Sequence, residues 1–157
     1  MTKAEELMIG DYFFVAKDNL CIRKGSVVEI RGIDADDRLE GKNLIGNAHC
    51  RPLDPFQFDG GIWCDYLDPI PLTPEILEKN GFKYTDNHTL QGSNTYILRY
   101  EQNGFDYTIT YKLNDWFAVD SYDDGTYRIF ELETGRWHVH QLQHALKLCG
   151  INKEIVI

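Results

Sequence analysis

Residues 95–112 read TYILRYEQNGFDYTITYK, two alternating runs on either side of Asn103–Gly104. A strand's side chains alternate between its faces, so Tyr96, Leu98 and Tyr100 share one face while Ile97 and Arg99 share the other. Asn-Gly is a strong hairpin turn because both central residues tolerate positive φ. The returning run puts Tyr107, Ile109 and Tyr111 together and sends Thr108 and Thr110 outward. DWFAVDS (115–121) continues the pattern, and Asp124–Gly125 turns the chain into TYRIFELE (126–133). The expectation is a four-stranded antiparallel meander with one face rich in aromatic and aliphatic side chains.

Downstream, "ETG" ends the sheet and HVHQLQHALKLCG (138–150) changes period from two to that of a helix. On a helical wheel Val139, Leu142, Ala145, Leu146 and Cys149 fall in one arc, which should pack on the sheet. His140, Gln143, His144 and Lys147 fall in the opposite arc, and this reading places them in solvent; Leu148 lies off the apolar arc.

Upstream, DPIPLTPEILEKNGF (68–82) predicts extended chain and then a helix of two turns or fewer. Prolines 69 and 71 restrict the backbone to extended conformations. Thr73 is placed to cap the helix, Pro74 suits its first turn, and Glu75 complements its positive end. Asn80–Gly81 should stop it, and Ile76 and Leu77 should point inward.

The first 67 residues have a shorter rhythm. DYFFVA (11–16) and CIRKGSVVEIRGI (21–33) read as strands, with a tight turn at Arg23–Gly25 and Val28, Ile30 and Ile33 facing inward. The polar stretch DADDRLEGKN (34–43) should be an exposed hairpin tip. LIGNAHCRPL (44–53) and FDGGIWCDYL (58–67) supply the remaining strands. Several short strands after an opening "IGD" predict a small SH3-like β-barrel. The fold class is therefore α+β: residues 1–68 a barrel subdomain, 69–81 a proline-rich joint and short helix, 82–157 an antiparallel sheet plus C-terminal helix.

The 157 residues are 43% hydrophobic, 26% charged and 13% aromatic, a globular composition that leans toward sheet. No apolar run approaches the ~18–20 residues that cross a bilayer. The first residues carry acids where a signal peptide has its apolar stretch, so the expected setting is cytoplasmic. In that setting Cys21, Cys50, Cys64 and Cys149 are expected as four buried free thiols, with no CxxC pair among them. The sequon NHT at Asn87 matters only in a secreted protein.

Net charge is −9, of which −1 falls through Leu53 and −8 from Asp54 onward. Phosphate backbones are held by clustered cations, so tight duplex DNA binding is not expected, least of all from the second half. A local basic face remains in the first half: Arg23, Lys24, Arg31, Arg38 and Lys42, with Tyr12 or Phe14 as stacking platforms.

His140 and His144 are the candidate metal ligands, spaced i and i+4 as in His-Glu-x-x-His zinc hydrolases. The position of the general base is held by Gln141, whose amide accepts no proton at useful pH. Catalytic zinc needs three protein ligands, and spacing alone cannot place His49, His88 or His138 as the third. Asp115, Asp120, Asp123 and Asp124 gather near one hairpin without the ligand spacing of a calcium loop. No nucleophile elbow or phosphate-binding loop is present. The residues thus assign no catalytic group and no cofactor.

The segments HVHQLQHALKLCGI, PIPLTPEILEKNGF and LMIGD resemble small uncharacterised proteins of Bacteroidales bacteria and their phages or prophages. The resemblance implies a bacterial or phage setting and transfers no catalytic residue, since the group has no established activity. The favoured expectation is a non-enzymatic binding protein whose partner is another protein of host or phage. Nucleic-acid binding through the N-terminal barrel is the alternative, and metal-dependent hydrolysis at a degenerate HxxxH site the third reading. The sequence leaves oligomeric state open.

Overall fold

The computed structural model describes residues 7–34, 46–85, 94–122, 126–133 and 135–157. The chain divides into two compact units, Met1–Ile70 and Pro71–Ile157. Each contains one five-stranded antiparallel sheet, and the second adds the helices, so the class is α+β.

The first unit is built from β1 (Tyr12–Val15), β2 (Val27–Asp34), β3 (Asn47–Pro52), β4 (Gly60–Trp63) and β5 (Leu67–Pro69), with one 3-10 turn, Cys64–Tyr66, before the last strand. Their order in the sheet is β4-β3-β2-β1-β5. Alternation places Phe13, Val15, Val28, Ile30, Ala48, Cys50, Ile62 and Leu67 in one core, with Ile33 packed at its margin. The chain enters through a turn fastened by the buried Asp11, whose carboxylate accepts the Met8 backbone N–H at 2.7 Å. The expected SH3-like barrel does not close among the described residues: β4 and β5 are the two edges of an open sheet. These two strands are four and three residues long, too short to offer each other a full ladder. The predicted hairpin tip falls almost entirely on residues 35–45, which lie outside the described residues.

The second unit starts with α1 (Pro74–Lys79), where the Thr73 hydroxyl accepts the Ile76 N–H at 3.4 Å, as the capping pattern predicted. Gly81 has φ +85°, the left-handed conformation that a β-carbon disfavours, and it ends the helix. Leu77 is fully buried and Ile76 half-buried. The buried Asn80 does more than stop the helix: its side chain donates to the Val156 carbonyl at 2.7 Å and accepts the Val156 N–H at 2.8 Å. The C-terminal segment is thereby fastened to α1.

The sheet of this unit has the order β10-β9-β8-β7-β6. Four of its strands follow the predicted meander: β7 (Thr95–Gln102), β8 (Phe105–Lys112), β9 (Trp116–Tyr122) and β10 (Thr126–Glu133). Asn103 and Gly104 take φ of 54° and 81°, the turn that the sequence demanded. The fifth strand, β6 (Lys83–Thr85), was not expected; it pairs Tyr84 with Tyr96 at the edge. Thr110, read as outward-facing, is buried, so the middle of the second sheet face is covered as well. On the first face Trp137 packs on Tyr111 and Phe117, with ring centroids 5.8 and 5.0 Å apart. Val139–Leu148 then form α2, with Val139, Leu142, Ala145 and Leu146 buried as the wheel required.

Candidate functional site

The histidine helix departs from the wheel at two positions. His140 is only 8% exposed and Gln143 7%, whereas both were placed in solvent. Lys147 and Leu148 are exposed, so the additional cover is confined to the first turns of α2. A wheel gives the direction of each side chain but not the width of the arc that neighbours cover.

The ring of His140 stacks on that of His138, centroids 5.8 Å apart, and meets that of His144 edge-on at 5.7 Å. Gln141 is otherwise engaged: its side-chain oxygen accepts the His138 backbone N–H at 2.9 Å and the His138 ring Nδ1–H at 3.1 Å, closing the N-terminus of the helix. The residue at the general-base position of the hydrolase pattern is thus a helix cap. Among the described residues no three His, Cys, Asp or Glu side chains are arranged to hold a metal ion. His49 hydrogen-bonds Asp34 in the first unit, and His88 lies outside the described residues.

The basic face is only partly assembled. Arg23 and Lys24 are exposed in the turn before β2, and Arg31 lies further along that strand, paired with Glu29 at 3.0 Å. Tyr12 and Phe14 are half-buried on β1 opposite Glu29 and Val27, so an acid stands beside the stacking platform. Arg38 and Lys42 lie outside the described residues. The aspartate group is taken up as well: Asp120 pairs with Arg128 at 2.6 Å and Asp115 pairs with Lys112, while Asp123 and Asp124 are outside the described residues.

All four cysteines are free, but only Cys50 and Cys64 are buried; Cys21 is exposed and Cys149 intermediate, a correction to the expectation of four buried thiols. Burial, and then the neighbouring Cys64, pushes the Cys50 thiol up to about 12. A thiol held protonated in this way is no nucleophile at neutral pH.

Sequence reasoning missed the most conspicuous surface, a pair of loops in the first unit. Residues 16–26 link β1 to β2, and residues 53–59 link β3 to β4. Gln57 joins them, its side-chain oxygen accepting the Arg23 N–H at 2.9 Å while its amide donates to Asp54 at 2.9 Å and to Ser26 at 2.9 Å. Asn19 adds a bond to the Gly61 carbonyl at 2.8 Å. These polar links hold three large apolar side chains in solvent: Leu20 is fully exposed, Phe56 is 91% and Phe58 80% exposed. The hydrogen bond from Gln57, then that from the Phe56 N–H, keeps the Asp54 carboxyl below its usual range, with Arg23 contributing. Asp18, Asp54 and Asp59 stand on the same two loops as Lys17, Arg23 and Lys24. The signal in the sequence was DPFQFD (54–59), two phenylalanines in a stretch otherwise suited to a turn.

In the second unit an open depression of about 450 Å³ lies on the sheet, lined by Arg99, Asp106, Tyr107, Thr108 and Tyr122. It contains no histidine or cysteine. Among the described residues no helix is long and apolar enough to cross a membrane. In comparisons with known proteins, no family model, no curated protein and no solved structure matches the chain.

Proposed function

We propose that the chain is a non-enzymatic protein-binding module, and that the linked loops bearing Leu20, Phe56 and Phe58 form its contact surface. The observation that carries this reading is the exposure of three large apolar side chains on loops whose backbones are fastened to each other. Exposing such side chains gives the monomer nothing, whereas covering them releases roughly 1.5–3 kcal/mol each. Preorganised loops lose less entropy on binding than free ones, and aromatic anchors dominate interface energetics.

The strand order β4-β3-β2-β1-β5 and the 3-10 turn before β5 support reading the first unit as an open SH3-like barrel. A cytoplasmic bacterial or phage setting, with a host or phage protein as partner, completes the reading.

Nucleic-acid binding stays the second reading because Arg23 and Lys24 lie on a loop that Gln57 ties to the segment bearing Phe56 and Phe58, so cations and stackable rings share the linked loops. Asp18, Asp54 and Asp59 on the same loops balance Lys17, Arg23 and Lys24, which supports a protein partner over a phosphate chain. The test is co-purification from the native cytoplasm with wild type and with Phe56→Ser/Phe58→Ser, both checked for folding by circular dichroism. A stoichiometric protein partner lost from the double variant is expected. Identical retention by both, or retention abolished by nuclease, overturns the reading.

A further inference from the structure

Strand β10 is an eight-residue sheet edge: β9 lies on one side, and among the described residues no strand lies on the other. Natural edges are commonly blunted with lysine or proline. TYRIFELE has neither, and Tyr127, Ile129 and Leu132 are exposed, Tyr127 by 61%. We propose that this edge pairs with β10 of a second copy, joining the two five-stranded sheets into one of ten strands.

The edge is self-complementary. In the antiparallel register that uses all eight residues, Thr126 lies opposite Glu133 of the second copy, Tyr127 opposite Leu132, Arg128 opposite Glu131, and Ile129 opposite Phe130. Directly opposed residues must share a face. Tyr127 and Leu132 are five residues apart and would point to opposite faces of a regular strand. The register shift between Arg128 and Phe130 changes this: Tyr127, Phe130 and Leu132 pair with Ser121, Val119 and Phe117 on one face, while Arg128, Glu131 and Glu133 pair with Asp120, Ala118 and Trp116 on the other. A bulge, usually a device against edge pairing, is here what makes the edge match itself.

The charges agree with the register. Arg128 already contacts Glu131 of its own strand at 2.8 Å, both side chains being about half exposed. Two-fold pairing sets these residues at the corners of a square of alternating sign, each arginine between two glutamates. On the other face Tyr127 and Leu132 of each copy cover one another. A single strand pair lies at the small end of specific interfaces, so the dimer should form in the micromolar range.

The experiment is light scattering after size exclusion, and sedimentation equilibrium, over a concentration series. Wild type should reach the mass of two chains at about 100 μM. Leu132→Lys, a change at an exposed position, should remain a monomer there. Glu131→Arg opposes two arginines and should weaken the dimer at least about tenfold. An equimolar mixture of Glu131→Arg with Arg128→Glu restores opposite charges across the seam and should recover dimer. A wild type that is monomeric throughout, or a dimer indifferent to both Leu132→Lys and Glu131→Arg, overturns the proposal. Phe56→Ser/Phe58→Ser should leave dimerisation unchanged, so the loop reading and this one fail independently.

Discussion

Cys50 and Leu142 are the two side chains whose surroundings dictate the sharpest consequences. The Cys50 thiol moves from an ordinary 9.0 to about 12 because its thiolate would lie in the apolar core of the first unit, beside Cys64. The folded state then keeps this proton at pH values where the unfolded chain releases it. The thiol's contribution is fully present below pH 9 and is lost as pH rises from there toward 12. Urea denaturation of the first unit should show stability falling with pH above 9, and Cys50→Ala should flatten that fall. An unchanged slope would mean that other groups govern the alkaline limb. Leu142 is 1% exposed in the centre of the buried face of α2. Leu142→Ala should cost about 2–5 kcal/mol in denaturant titration, the usual range for a cavity of this size. A loss below about 0.5 kcal/mol would mean that the site collapses without penalty.

Elements defined by local chemistry were legible, and those defined by distant partners were not. Helix α2 illustrates both sides. Its apolar arc followed from spacing, but the burial of His140 and Gln143 depends on what lies over its first turns. Gln141 as a helix cap could have been read from its place three residues after His138. With Gln141 engaged as a cap, the general-base position of the pattern offers an amide and not a carboxylate, and protein after dialysis should contain no stoichiometric zinc and hydrolyse no peptide. Elemental analysis with His144→Ala as control checks this; one zinc per chain, lost on substitution, would restore the metal site. The Asn103–Gly104 hairpin and α1 were legible because turn and cap residues act on their own backbone. Strand β6 was not, since three residues carry no measurable alternation and become a strand only by pairing with Thr95–Ile97. Closure of the first sheet was expected from strand rhythm, which fixes how many strands form but not whether the last meets the fourth. The loop surface escaped because Gln57 and Asn19 bridge segments 31 to 42 residues apart.

Net charge and exposed apolar surface both support the proposed protein partner. A net −9, with Arg31 held by Glu29 and the loop cations sharing their loops with aspartates, leaves no continuous cationic stripe among the described residues. Fluorescence anisotropy should therefore detect no submicromolar binding of duplex DNA at physiological salt. Tight binding that weakens steeply with added salt would instead promote the basic face. Whether the loops bearing Phe56 and Phe58 meet a protein can be read out by photo-crosslinking in living cells. A photoreactive phenylalanine analogue would replace Phe58, with the exposed Lys147 on α2 as the control position. One discrete protein adduct is expected from position 58 and none from position 147. No adduct at 58, or the same diffuse products from both positions, would contradict a protein contact there.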